Sequence, residues 1–221
     1  MPKNKKLKII YEDKYLLIID KPANLLTISN EHERENTLFH QVYLYLKRKN
    51  KNNKVFIVHR LDYETSGLVI FAKSIKVKQI LQANWQNVIR KYFAVVLGEV
   101  LKEKATLKSY LKETKTNLVY ATKNSKNGLL AITNYQRILT NQKYSLLDIE
   151  IKTGRKNQIR VQLKDIDHPI FGDKKYGDKK SKAKRMYLHA YYLEFYHPIT
   201  KQLLHFKLDL PLDFSNIFLK C

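Results

Sequence analysis

The segment YSLLDIEIK (144–152) sets Leu147, Ile149 and Ile151 against Asp148 and Glu150, residue by residue. That period of two belongs to a strand with one buried face. LLHFKLDL (203–210) alternates as cleanly. KIIYEDKYLLIIDKP (8–22) reads as two short strands joined by a polar turn at Glu12 to Lys14, and KYFAVVLGEV (91–100) as a further strand. Helical patterns are fewer. Asn36 is placed to cap a helix burying Leu38, Val42 and Leu46, and Ser74 to cap one with Val77, Leu81, Trp85 and Val88 on one face. In TGRKNQIRVQL (153–163), Gly154 ends a strand, and Ile159 and Leu163 mark the inner face of a third helix. Many strands, few helices and no regular βαβ rhythm predict an α+β fold with a mostly antiparallel sheet. Without repeats, linkers or Pro-rich segments, the simplest organisation is one domain.

Charge narrows the partner. The chain of 221 residues carries 42 Lys and Arg against 20 Asp and Glu, a net +22. An excess of that size favours a polyanion, nucleic acid ahead of an anionic membrane surface. A membrane binder would need a basic amphipathic helix with an apolar face, and none is evident. Two runs concentrate the cations: KRKNKNNK (47–54) holds five and DKKYGDKKSKAKR (173–185) seven. They are candidate phosphate contacts; the plainer alternative is a pair of solvated loops. No apolar run approaches the ~18 residues needed to span a bilayer, and the N-terminus does not read as a signal peptide. The one cysteine, Cys221, supports no disulfide framework or zinc spacing, which suits a reducing, cytoplasmic setting.

Three constellations hold reactive side chains: HRLD (59–62) with Thr65, Ser66 and Gly67 behind it, Arg90-Lys91-Tyr92 at a strand start, and TGRKNQIRVQL followed by DHPIFGDKKYG (167–177). Singly, each has a structural explanation. An Asp in a loop is usually a cap or turn residue, a Tyr opening a strand is usually core, and a helical Arg usually snorkels to solvent.

Together they resemble one family. HRLDYETSGLVIFAK is similar to the HRLD-x-x-TSG signature of the RluA-type RNA pseudouridine synthases. The likeness continues in the family's order. IIYEDKYLLIIDKPANLLT (9–27) resembles the opening strand pair and Lys-Pro loop, and RKYFAVVLGEV the Lys-x-Tyr strand. GLLAITNYQRI (128–138) resembles the segment before the third motif. TGRKNQIRVQL and DHPIFGDKKYG resemble the Gly-Arg-Thr-His-Gln-Ile-Arg helix and the Gly-Asp-x-x-Tyr-Gly loop. The match covers nearly all of residues 9–211. Departures are few: Asn24 and Asp167 replace glycines, Arg90 a lysine, and Asn157 and Gln162 common histidines.

The resemblance implies the pseudouridine synthase fold, a central mixed, mostly antiparallel sheet with an active-site cleft across it. It implies a basic extension over 1–8 and a catalytic domain over 9–221, with no small RNA-binding domain of the S4 type ahead of it. The implied reaction isomerises uridine to pseudouridine in ribosomal or transfer RNA. Asp62 is implied as the catalytic carboxylate, with Arg160 keeping it ionised and Tyr92 stacking on the uracil. His59, Arg60, Thr65, Arg155, Gln158 and Ile159 are implied to contact substrate, Ile159 closing the pocket. Arg60 has two readings, a contact beside the flipped nucleotide or a local ion pair with Asp62 or Glu64. Nothing is oxidised and no group enters or leaves, so neither cofactor nor metal is expected. The partner is RNA alone, and the protein is expected to be a monomer. The rival is a non-catalytic RNA-binding protein of the same fold.

Overall fold

A computed structural model describes residues 7–123 and 125–219. Most of the expected 1–8 extension, and Cys221, lie outside these. Along the chain run β1 (Ile9–Glu12), β2 (Leu16–Lys21), α1 (Leu38–Lys49), β3 (Phe56–Ile57), β4 (Ser66–Ala72), α2 (Ile75–Ala83) and β5 (Ile89–Leu97). Then follow β6 (Lys104–Glu113), β7 (Val119–Thr122), β8 (Leu129–Thr140), β9 (Tyr144–Ile151), α3 (Gln158–Asp165), β10 (Leu188–Tyr196), β11 (Leu203–Lys207) and α4 (Leu212–Leu219). The class is α+β, as expected. The chain forms two compact units, one of residues 1–88 and 194–206, the other of 89–193 and 207–221.

In the first unit β1, β2 and β4 pair antiparallel in that order, and β3 also pairs with β4. β4 is buried along its whole length, and Leu16, Leu17, Ile18 and Ile19 of β2 are fully buried beside it. The expected β1–β2 turn is present, held by the Asp13 carboxylate, which accepts from the backbone N–H of Tyr15 and Leu16. Helix α1 buries Leu38, Val42 and Leu46, worth roughly 1.5–3 kcal/mol each. Its cap is Thr37, not Asn36. Thr37 is the extended residue whose hydroxyl reaches the His40 N–H, while the Asn36 N–H donates to Glu33. Ser74 caps α2 as expected, but the helix stops at Ala83. Trp85 lies in a following 3₁₀ turn, and its ring meets that of His59 with centroids 4.6 Å apart.

The second unit holds β5, β9, β8, β6 and β7 in that order, every pair antiparallel. Its larger core gathers Ala94 and Val96 of β5, Leu147, Ile149 and Ile151 of β9, and Ile159 and Leu163 of α3. The period-two reading of 144–152 is therefore correct. A second cluster joins Val95, Leu146 and Tyr187 to Phe214 of α4, a helix with no counterpart in the sequence expectations. Helix α3 departs from the one-faced expectation: Gln158 to Leu163 are all buried. Ile159 and Leu163 pack into the larger core, whereas Val161 packs with Leu111, Val119 and Ala131 on another side. Arg160 is enclosed with them at 3% exposure, so it does not snorkel to solvent.

Candidate active site

The HRLD loop belongs to the first unit, and segment 21–27 brackets its carboxylate. On one side of Asp62, the Thr27 hydroxyl donates to the Leu61 carbonyl at 2.7 Å and accepts the Leu61 N–H at 3.2 Å. On the other, the Tyr63 carbonyl accepts from the Leu25 N–H and from the Lys21 ammonium, each at 3.2 Å. Lys21 is fully buried and also donates to the carbonyls of Pro22 and Leu25. A buried cation needs such acceptors, because desolvation is costly when its donors go unmet. The turn closes with Thr65 N–H donating to the Asp62 carbonyl. Gly67, at φ 116°, pairs with Lys21 across β2 and β4. Asp62 itself is half-buried.

The other expected residues of this loop divide. His59 Nε2 accepts the Ile70 N–H at 3.1 Å, tying the loop to β4. Thr65 is buried beneath the turn, at 2% exposure. Arg60 is exposed.

The second unit carries Tyr92, Arg155, Gln158, Ile159 and Arg160. Tyr92 is half-buried on β5 and packs against the core cluster that contains Ile159. The buried Arg160 guanidinium donates through Nε to Asp173 Oδ2 and through Nη2 to Asp173 Oδ1, both at 2.8 Å. The Tyr176 ring lies 5.2 Å from its Cζ. Arg90 is buried, and burial pushes its guanidinium down from the usual range. Gly154 is where it passes: a Cβ there would fall 2.9 Å from Arg90 Nη1.

Gln158 and Arg155, both expected to contact substrate, have protein partners. Gln158 spends its whole amide on protein. Its Oε1 accepts from Thr153 Oγ1 and the Arg155 N–H, and its Nε2 donates to the Ile132 carbonyl and Thr133 Oγ1. It orders the loop before α3. Arg155 is exposed, with its Nε on the Leu130 carbonyl. The departures from the family pattern acquire local reasons. Asn24 and Asp167 sit at φ 60° and 62°, left-handed positions where glycine is easiest and Asn and Asp are the next best tolerated. Gln162 Nε2 reaches the carbonyls of Leu107 and Ala131 and the Ser109 hydroxyl, binding α3 to β6 and β8. Asn157 Oδ1 accepts the Tyr176 hydroxyl.

Sequence reasoning gave no role to Lys21, Thr27, Asp173 or Tyr176. The available signals were the lysine closing the apolar run LLIIDK, and the Asp and Tyr of the GDKKYG loop (172–177).

Residues 15–165 match the family described as RNA pseudouridylate synthase. An RNA pseudouridine synthase of Bacillus subtilis is 34% identical over 98% of this chain and 73% of its own length. A tRNA pseudouridine synthase of Haemophilus ducreyi is 33% identical over 89% of this chain and 88% of its own. Among solved structures, human RNA pseudouridylate synthase domain containing 4 aligns with a TM-score of 0.78 over 94% of this chain and 90% of that one. At 23% identity that likeness bears on the fold alone, which is the pseudouridine synthase fold.

Proposed function

The chain belongs to the RNA pseudouridylate synthase family and is an RNA-modifying isomerase; from that premise we propose that Asp62 is its essential carboxylate, served by Tyr92 and Arg160. The reaction breaks the N1–C1′ bond of a uridine, turns the freed uracil and joins C5 to C1′. Attack on C1′, attack on C6 and removal of a ribose proton are the three routes open to a carboxylate, and each requires it ionised and held still. The observation that carries the reading is the bracketing of Asp62. Leu61 and Tyr63 are each hydrogen-bonded to segment 21–27, so the carboxylate stands on a backbone that has little freedom to shift.

Tyr92 offers a ring for stacking on the target base. A free tyrosine titrates at ~10 and is a poor base at neutral pH, so stacking is its main role. Ile159 supplies apolar wall, which keeps water from C1′ while the uracil is detached. Arg160 carries the positive charge that opposes protonation of the carboxylate. The target nucleotide leaves its stack at a cost of about a few kcal/mol, and exposed Arg60 contacts the RNA beside it. Arg155, also exposed, adds a backbone contact, while His59, Thr65 and Gln158 position the loops.

The substrate is ribosomal or transfer RNA, bound through the basic runs 47–54 and 173–185 by a cytoplasmic monomer. Net charge, the family and the transfer-RNA activity named for the Haemophilus relative support the RNA substrate. The test is conversion of ribosomal and transfer RNA transcripts by the wild-type and Asp62→Asn proteins, in buffer without metal or nucleotide. Asp62→Asn abolishes pseudouridine formation and leaves RNA affinity within about three-fold, since a neutral isostere retains shape but not the reactive charge. A fully active Asp62→Asn protein overturns the assignment. A wild-type protein that binds but never converts RNA favours the non-catalytic reading.

A further inference from the structure

The 167–177 loop holds an aspartate that the proposed chemistry has not used. Asp173 is 1% exposed, and four donors converge on its carboxylate. Arg160 supplies two, from Nε and Nη2, and the backbone N–H groups of Lys175 and Tyr176 supply the others at 2.9 and 3.0 Å. We infer that Asp173 is a positioning residue for the isomerisation, acting through Arg160 by fixing the plane and direction of its guanidinium. The inference rests on the reading that Arg160 serves the reaction.

The geometry has three parts. First, a long side chain with several torsions is clamped along one edge. Paired contacts from Nε and Nη2 to two carboxylate oxygens define the plane of a guanidinium, which a single contact cannot do. The Tyr176 ring covers a face of that plane at 5.2 Å. Second, the clamp is itself anchored. Asp173 caps its own turn, and the Tyr176 hydroxyl donates to Asn157 Oδ1 at the start of α3 while accepting the Val119 N–H. Third, the loop is fastened to the strand that bears Tyr92. The Leu97 N–H donates to the Pro169 carbonyl, and the Phe171 N–H to the Val95 carbonyl. Gly172 holds φ at 79°, and a Cβ there would fall 2.0 Å from the Arg185 carbonyl oxygen, so the loop beside Asp173 packs directly on the 185 backbone. Arg160 and Tyr92 are thus set on one rigid frame.

A buried ion pair that only held the fold together would look similar, and the two roles separate in kinetics. The experiment measures single-turnover pseudouridine formation, RNA affinity and thermal unfolding for Asp173→Asn, Asp173→Glu, Arg160→Lys, Arg160→Met and the double variant Arg160→Lys/Asp173→Asn. Asp173→Asn lowers the turnover of folded protein by about 10²-fold, the scale expected for a misplaced reacting group, with affinity within about three-fold. In the Arg160→Lys background the same change costs less than about two-fold, because a lysine has no planar fork to orient. Equal losses in both backgrounds, or full turnover by Asp173→Asn, overturn the inference. If Asp173→Asn does not fold, Asp173→Glu, which keeps the charge and moves it by one methylene, is read by the same criteria. Failure of both to fold also overturns it, since the pair then serves the fold alone. Full turnover by Arg160→Lys and by Arg160→Met sinks the underlying role of Arg160, an outcome separate from either result at Asp173.

Discussion

The ammonium of Lys21 donates to the carbonyl of Tyr63, 42 positions away in sequence and one past Asp62. Three carbonyls share this fully buried cation. Lys21→Met removes the donor but leaves those acceptors behind. The expected loss is on the order of 2–4 kcal/mol of stability, read from denaturant midpoints. Lys21→Arg does not restore it, because a planar fork does not match acceptors gathered around one point. Unchanged midpoints for both variants would show that the ammonium contributes nothing to the loop.

Acid should weaken the first unit through Glu12. Burial alone would raise its carboxyl, but hydrogen bonds from Lys49, Lys73 and Tyr45 outweigh that and hold it at about 2, below the ordinary 4.5. A lowered folded value means stability that is fully present above pH 4.5 and is lost as the pH falls through about 2. Glu12→Gln removes on the order of 1–3 kcal/mol at neutral pH and flattens this acid limb. Parallel pH–stability curves for the two proteins would refute the assignment.

The left-handed positions give a backbone test. Asn24→Gly and Asp167→Gly should change stability by less than about 1 kcal/mol, since glycine suits φ near 60° but loses more entropy on folding. Asn24→Val and Asp167→Val should each cost about 1–2 kcal/mol through the Cβ clash. Urea midpoints decide, and a harmless valine at either site counts against the local geometry.

The basic runs are tested by salt. In 47–54, Lys49 is engaged by Glu12 and Lys47 by the Lys51 carbonyl, which leaves Arg48, Lys51 and Lys54 as exposed cations. Changing these three to Gln should reduce the slope of log affinity against log salt by about 2 for single-stranded RNA, at about 0.7 per phosphate contact. The same treatment of Lys179, Lys180 and Lys182, all exposed, examines the second run. A run whose neutralisation leaves the slope unchanged does not touch phosphates.

Local patterning determined much by itself. Alternation in 144–152 specified β9, because period two admits only one orientation of Leu147, Ile149 and Ile151 toward the core. Ser74 announced α2, and four-residue spacing located the buried stripe of α1, since caps and amphipathic faces are short-range properties. The motif order pointed to the family and to Asp62. Tertiary structure decided the rest. Residues Gln158 to Leu163 of α3 are all buried, so Arg160 faces protein rather than water, and no heptad count could distinguish these. Gln158 looks like a ligand donor in sequence, yet backbone carbonyls and hydroxyls of β8 and the 153–155 loop consume its amide. Lys21 and Asp173 became significant only when folding brought distant acceptors and donors to them. The physical reason is the same throughout. Propensity and periodicity act over a few residues, whereas the burial of a charge, and the partners that make it tolerable, depend on segments that meet only in three dimensions.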